Sequence, residues 1–377
     1  MIYLDNSATT YPKPQKVSNA VSQTMRASAN PGRSGHSMSL AAAKTIYNAR
    51  TTAAEFFGIG SPENVIFMQN CTMALNTAIK GILKKGDHVV VSALEHNAVM
   101  RPLKALEEKG ISVTKAEVSA EDDDKTVDSF RKSINANTKA IICTHASNVW
   151  GIRLPIERLC ALAHTYGLIF IVDAAQSAGV LPLNIGEMGY DIVCTAGHKG
   201  LYGPMGTGMM LLSGSVLPEE IMQGGTGSNS ISLTQPEELP DRYESGTANL
   251  PGIAGLKAGI DFVRTRGIDN IFSHELSLIT ALYKRLEKMS HVRLYTPMPE
   301  ASHFAPVLSF NIEGLDSEDC AARLSKNGIA VRAGLHCSPS AHEALGTLET
   351  GAVRISPSVF TRHSDIERTA HIISKIK

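Results

Sequence analysis

The sequence predicts an α/β protein: a large, mostly parallel sheet covered on both faces by helices, joined to a smaller α+β unit. Two observations carry this expectation. Across residues 65–194, short apolar, β-branched runs alternate with helix-length amphipathic stretches, the pattern of successive strand–helix–strand units. After about residue 250 the pattern changes: Leu308, Phe310 and Ile312 alternate with Ser309 and Asn311, as in a half-exposed antiparallel strand. The expected division puts residues 15–254 in the large unit and residues 1–14 with 255–377 in the small one.

Residues 1–14 read as extended, because Pro12 and Pro14 prevent an early helix. One helix is expected over residues 17–25. A second runs over about 40–57, with Leu40, Ala43, Tyr47, Ala54 and Phe57 spaced for one face and Gly58 as its stop. Strands follow at 65–67, 89–91, around Val113, at 140–143, 168–172 and 192–194. Helices fill the intervals at 73–83, 99–108, 127–134 and 156–166. The glycine-rich stretches 203–208 and 224–227 hold neither a P-loop lysine nor a complete dinucleotide fingerprint, and read as tight turns. Pro251 suits the first turn of a helix and Gly267 its end. A long amphipathic helix then carries Phe272, Leu276, Ile279, Tyr283, Leu286 and Met289. Val353 and Ile355 flank Arg354 on a last strand.

Composition narrows the function class. A chain of 377 residues is too long for one simple core. The balance of 36 Lys+Arg against 36 Asp+Glu leaves no electrostatic footprint for nucleic acid or anionic lipid. No apolar run is long enough to span a bilayer, and the first residues form neither a basic nor an apolar signal region, so export is not expected. The six cysteines form no Cys-x-x-Cys pair, which fits a reducing cytoplasm rather than a disulfide framework.

Two strand ends then stand out. The run 191–195 delivers Ala196-Gly197-His198-Lys199, and the run 168–172 delivers Asp173-Ala174-Ala175-Gln176. Alone, either charged residue reads as a surface lysine or a capping aspartate. Together, at the carboxyl ends of neighbouring strands, they are what pyridoxal phosphate needs: an amine for its aldehyde and a carboxylate to keep its ring nitrogen protonated. Other polar residues fall at the same edge of the sheet, where ligands of open α/β folds collect. Cys71 and Thr72 begin a helix that could hold a phosphate at its N-terminus, and His96 could stack on a flat ring. Asn148 and Gln176 could donate to a ring oxygen. In the small unit, Arg332, His336 and Cys337 share a loop whose cysteine would be exposed and, near cations, partly thiolate. A metal site from His336, Cys337 and His342 lacks further ligands, so none is expected. Arg354 could grip a carboxylate or form a surface salt bridge.

Several stretches together resemble the cysteine desulfurases of the class V aminotransferase group, of the type II kind, and the likeness covers nearly the whole chain. They are Tyr3-Leu4-Asp5-Asn6-Ser7-Ala8-Thr9-Thr10, Asn30-Pro31-Gly32-Arg33-Ser34-Gly35-His36, Glu95-His96-Asn97, Val172 through Gln176, Gly197-His198-Lys199, Tyr243-Glu244-Ser245-Gly246-Thr247 and Arg332 through Cys337. The resemblance implies a homodimer of the aspartate-aminotransferase-like fold, type I among pyridoxal-phosphate enzymes. It implies that Lys199 is the Schiff-base lysine, that Asp173 pairs with the ring nitrogen, that His96 stacks on the ring and that Gln176 reaches its phenolate oxygen. Cys71, Thr72 and His198 fall at phosphate positions, and Thr247 at the phosphate of the other subunit. Asn148, Arg354, Arg332 and Arg33 fit substrate positions, and Cys337 the sulfur-accepting one. Many relatives carry serine where this chain has Ala196, so one phosphate contact is missing.

The activity so implied turns L-cysteine into L-alanine, leaves a persulfide on Cys337 and passes the sulfur to a separate acceptor protein, as in iron–sulfur cluster assembly. A lyase for selenocysteine or another thiol amino acid, a thiol-free class V aminotransferase or epimerase, and a non-enzymatic sulfur or cluster scaffold are the competing readings.

Overall fold

A computed structural model describes residues 1–31 and 34–376. The chain runs through β1 (Ile2–Tyr3), α1 (Gln15–Ala27), α2 (Ser37–Phe57), β2 (Val65–Met68), α3 (Cys71–Ile82), β3 (His88–Ser92) and α4 (Asn97–Glu107). It continues through β4 (Ser112–Ala116), α5 (Asp123–Ser133), β5 (Thr138–Thr144), α6 (Ile156–Thr165), β6 (Ile169–Asp173), α7 (Ile185–Met188), β7 (Ile192–Ala196) and β8 (Gly208–Leu212). Then come α8 (Leu250–Arg266), α9 (Ile268–Leu286), β9 (Val292–Leu294), β10 (Leu308–Ile312) and α10 (Ser317–Lys326). The last elements are β11 (Ile329–Ala330), α11 (Pro339–Ala344), β12 (Val353–Ile355) and α12 (His363–Ile373).

Among the described residues, seven strands form the large sheet in the order β2-β8-β7-β6-β5-β3-β4. β3 through β7 pair in parallel, so their carboxyl ends share one edge. The strands are apolar on both faces: Val90, Ile141, Val172 and Val193 enter one core, and Val89, Ile142, Ile171 and Ile192 the other. β8 runs antiparallel between β7 and β2, directly after the turn expected at 203–208 and where no strand was expected. Gly208 opens it because a Cβ there would lie 2.5 Å from the Asn70 carbonyl carbon. The strand thus passes close to the start of α3.

The smaller assembly packs α9, α10 and α12 around an antiparallel β12-β10-β9 sheet and a parallel β1-β11 pair. Three local expectations change. Leu40 and Tyr47 on α2 are 59% and 56% exposed; Ala54 and Phe57 of the expected face are buried, joined by Ala42, Ala49, Arg50 and Ala53. On α9 the buried stripe is Ile271, Glu275, Leu278, Ile279, Leu282 and Leu286, offset from the expected one. β10 has no exposed face, because Ser309 donates to the Val149 carbonyl at 2.5 Å and Asn311 to the Gly351 carbonyl at 2.9 Å. Covered on both sides, this strand alternates in chemistry but not in exposure. No helix among the described residues is long and apolar enough to cross a membrane.

Candidate active site

The cavity at the carboxyl edge of the large sheet is lined by Cys71, Thr72, His96, Asn148, Asp173, Gln176, His198 and Lys199, among others. They follow the ends of five strands, β2, β3, β5, β6 and β7, so the sheet's topology brings together Cys71 and Lys199, 128 positions apart. Lys199 follows β7 through a turn that requires Gly197, where a Cβ would collide with the Thr207 hydroxyl. Burial pushes the Lys199 amine below its ordinary range, and the nearby Asp173 carboxylate opposes the shift. Asp173 ends β6, is 3% exposed, and accepts from the Ala175 N–H at 2.9 Å. The Cys71 thiol donates to the same oxygen at 3.6 Å.

α3 is capped by Asn70, whose side chain accepts from the Met73 N–H at 2.8 Å. Thr72 is therefore not the cap, and its hydroxyl stays exposed at the first turn. His96 caps α4, its Nδ1 accepting from the Ala98 N–H at 3.0 Å. That bond fixes the ring's orientation and puts the proton of the neutral imidazole on Nε2. Burial holds both His96 and His198 down at about 4, so the two rings are neutral. The His198 carbonyl accepts from Thr10 Oγ1 at 3.2 Å and Lys13 Nζ at 2.7 Å. The N-terminal segment thereby backs the lysine turn. Gln176 donates to the Ser7 carbonyl at 3.1 Å.

Cys337 is exposed and does not line this cavity. Its backbone is nonetheless fixed at the cavity's rim, for the Asn97 N–H donates to the Cys337 carbonyl at 2.8 Å. Asn148 holds the same loop, donating to the His336 carbonyl at 2.9 Å and accepting from Ser338 Oγ at 2.7 Å. Its amide thus serves the cysteine loop, with one N–H left for a ligand. His336 and Cys337 both adopt left-handed backbone, with φ of 53° and 57°. Such consecutive non-glycine strain persists only where surrounding contacts enforce it. Arg332 Nη2 lies 3.7 Å from Cys337 Sγ.

Other expected residues stand apart. Arg354 is 1% exposed rather than a surface group: it pairs with Asp5 at 2.6 Å and donates to the Asn148 carbonyl at 3.0 Å. It lies one layer behind the cavity, with Nε unpartnered among the described residues. Thr247 is exposed and lines different cavities. Arg33 lies outside the described residues. His336 and His342 stack at 5.6 Å, and no group of three or more His, Cys, Asp or Glu among the described residues could hold a metal.

Glu95, a fully buried carboxyl beside His96, had no role in the sequence reading. Its Oε1 accepts from Ser92 and from the Thr144 N–H at 2.7 Å, while Oε2 has no partner among the described residues. An acid three residues beyond a buried strand, next to the ring histidine, was the available signal. Burial pushes it up to about 8. An unfolded glutamate ionises near about 4.3, so between these values the folded chain binds the extra proton and stability falls as pH rises. Buried neutral histidines act oppositely: His145, held at about 3 by burial, and His336, at about 2, lose their stabilising contribution as pH falls below about 6.5. Between about pH 6.5 and 8, Glu95→Gln is therefore expected to flatten the decline in thermal midpoint. Glu275, also pushed up to about 8 by burial, retains part of that slope. An unchanged slope, read by melting the variant across this range, would show that Glu95 is already ionised.

The donor set fits pyridoxal phosphate on the chain's own chemistry. A carboxylate for the ring nitrogen, a buried amine for the aldehyde, a neutral imidazole for the ring face and a helix start for the phosphate surround one cavity. The buried His198 Nδ1 has no partner among the described residues, as expected of an atom awaiting a ligand.

Comparison with known proteins agrees with this geometry. The model of the aminotransferase class-V family matches residues 2–369. A probable cysteine desulfurase of Methanothermobacter thermautotrophicus is 32% identical, the match covering all of this chain and 94% of the relative. One of Vibrio cholerae is also 32% identical, with all of this chain and 93% of the relative covered. Among solved structures, the apo cysteine desulfurase of Thermococcus onnurineus superposes with a TM-score of 0.92 at 31% identity, over 99% of this chain and 94% of the other. The cysteine desulfurase CsdA of Escherichia coli gives a TM-score of 0.88 at 26% identity, over 99% and 94%. The fold is thus that of type I pyridoxal-phosphate enzymes, and the chain belongs to the class-V aminotransferase family.

Proposed function

We propose that the protein is a pyridoxal 5'-phosphate-dependent cysteine desulfurase. The observation that carries this reading is the anchoring of the Cys337 loop, through Asn97, Asn148 and Ser338, at the rim of the Lys199–Asp173 cavity. A thiol-free aminotransferase has no use for an exposed cysteine held there against backbone strain.

When bound, the cofactor would supply an electron sink for the pair left on the substrate Cα. Lys199 Nζ would accept the Cα proton, its basicity lowered by burial. Asp173 would hold the ring nitrogen and His96 the ring face of the cofactor. Asn148 would receive the substrate carboxylate through its spare N–H, and Arg354, bonded to the Asn148 carbonyl from one layer behind, would add its positive charge to that position. Arg332, beside Cys337, provides a second cation. The Cys337 thiolate attacks the substrate sulfur: the new S–S bond forms as the C–S bond breaks, and the released pair stays on the carbon skeleton, which leaves as alanine after protonation.

The persulfide then passes to a thiol acceptor, which we place on a separate protein such as one serving iron–sulfur cluster assembly. The exposed position of Cys337 supports that hand-over, and six free thiols support a cytoplasmic setting. The exposed Leu40 and Tyr47 support a homodimer, with Thr247 serving the partner's phosphate. Pairing of β1 with β11 supports residues 1–14 joining the C-terminal unit, although α8 spans the expected boundary. Incubation with cysteine and with selenocysteine tests the assignment. Stoichiometric alanine and persulfide from cysteine support it. Alanine from selenocysteine alone would favour the lyase reading, and alanine from neither would reject both.

A further inference from the structure

β2 is the outermost strand of the large sheet, and its free edge is closed by an ion pair rather than by another strand. Arg50, from α2, meets Glu244 bidentately, both bonds 2.8 Å long, with side chains only 6% and 15% exposed. Glu244 Oε1 also accepts from the Phe67 N–H at 2.7 Å, and Arg50 donates to the Val65 carbonyl. The guanidinium lies 4.8 Å over the Phe67 ring. Donor and acceptor of the pair therefore take the two ladder positions that a further strand would fill.

Glu244 is three residues before Thr247, and Asn249 caps α8 by accepting from the Gly252 N–H at 3.0 Å. Thr247 is thus suspended between two fixed points, facing cavities lined by Phe67, Tyr47, Arg50 and Glu244 and not by Lys199. An apolar pair of similar size could fill the same space with little loss of stability. It could not bond the strand edge and so could not fix where Thr247 stands.

We propose that the Arg50–Glu244 pair is a positioning device that presents Thr247 to the phosphate site of the partner subunit. The proposal rests on the shared-site reading above and names what holds that contact in place. Removing one charge alone would strand the other, so the informative variant is the double change Arg50→Met/Glu244→Leu. It is expected to fold, with a thermal midpoint close to wild type. Its affinity for pyridoxal phosphate, titrated into stripped protein by fluorescence, is expected to fall about tenfold or more.

The decisive step pairs this chain with a Lys199→Ala chain, co-expressed under different tags and purified through both. Such a heterodimer has one complete site, built from Lys199 of the double variant and Thr247 of the other chain. It is expected to recover about half the wild-type turnover per dimer and wild-type cofactor affinity at that site. Glu244→Gln, which keeps an acceptor for the Phe67 N–H, is the milder variant to be read in the same mixed dimer should the double variant fail to fold. Undiminished cofactor affinity in the variant homodimer, or a heterodimer no more active than either parent, overturns the proposal. A monomeric wild type that holds cofactor and turns over cysteine defeats the shared-site reading itself, before any variant is made.

Discussion

Replacing Lys199 with alanine is expected to lower cysteine turnover by about three to four orders of magnitude and to abolish covalent cofactor attachment. The measurements are alanine formation and the visible absorption of the attached cofactor. Lys199 is the amine of the cavity that stands beside Asp173, and burial keeps its basicity below that of an ordinary lysine. Arginine should not rescue it, because a guanidinium stays charged and cannot accept the Cα proton. Asp173→Ala should behave differently, keeping attachment while losing most turnover, since its task is to stabilise charge rather than to form a bond. A Lys199→Ala variant with near-normal turnover would place the chemistry elsewhere.

Cys337→Ala is expected to leave the cofactor spectrum intact while cutting alanine formation from cysteine by at least about a hundredfold. The first half follows from position: Cys337 does not line the Lys199 cavity, and its loop is held at the rim by Asn97 and Asn148. The second half follows from the need for a nucleophile at the substrate sulfur. With selenocysteine the loss should be smaller, because the carbon–selenium bond is weaker and selenium leaves more readily. A mass search for persulfide on Cys337 completes the test. Undiminished cysteine turnover would refute the mechanism; loss on neither substrate, with wild type preferring selenium, would favour the lyase.

The parallel strands were legible because burial on both faces leaves an uninterrupted apolar run, as in Ile169–Asp173 and Ile192–Ala196. Their polar continuations gave Asp173 and Lys199 directly. β8 was not legible, because the glycines that begin it signal a turn as readily as a close backbone approach. The α2 face misled because Leu40 and Tyr47 carry the hydrophobicity while small alanines do the packing. Arg354 could be placed on its strand, yet its burial depends on Asp5, 349 residues away, and local pattern carries nothing of such pairs. For the same reason the sequence marked Asn148 as a ligand contact but not as the anchor of the Cys337 loop.

The long closure between the two ends of the chain also sets an order of events. β1 pairs with β11, the Asp5 side chain with Arg354, and Thr10 and Lys13 rest on the His198 carbonyl. During synthesis these early residues find their partners only as residues 198, 330 and 354 are made in turn. Contacts of such separation form late, since the intervening chain must be organised before they repay its loss of entropy. The large sheet can therefore assemble while the turn that bears Lys199 still lacks its backing. Competence arrives last, as a property of the finished chain, and a polypeptide released short of β12 would hold a sheet without a closed catalytic wall.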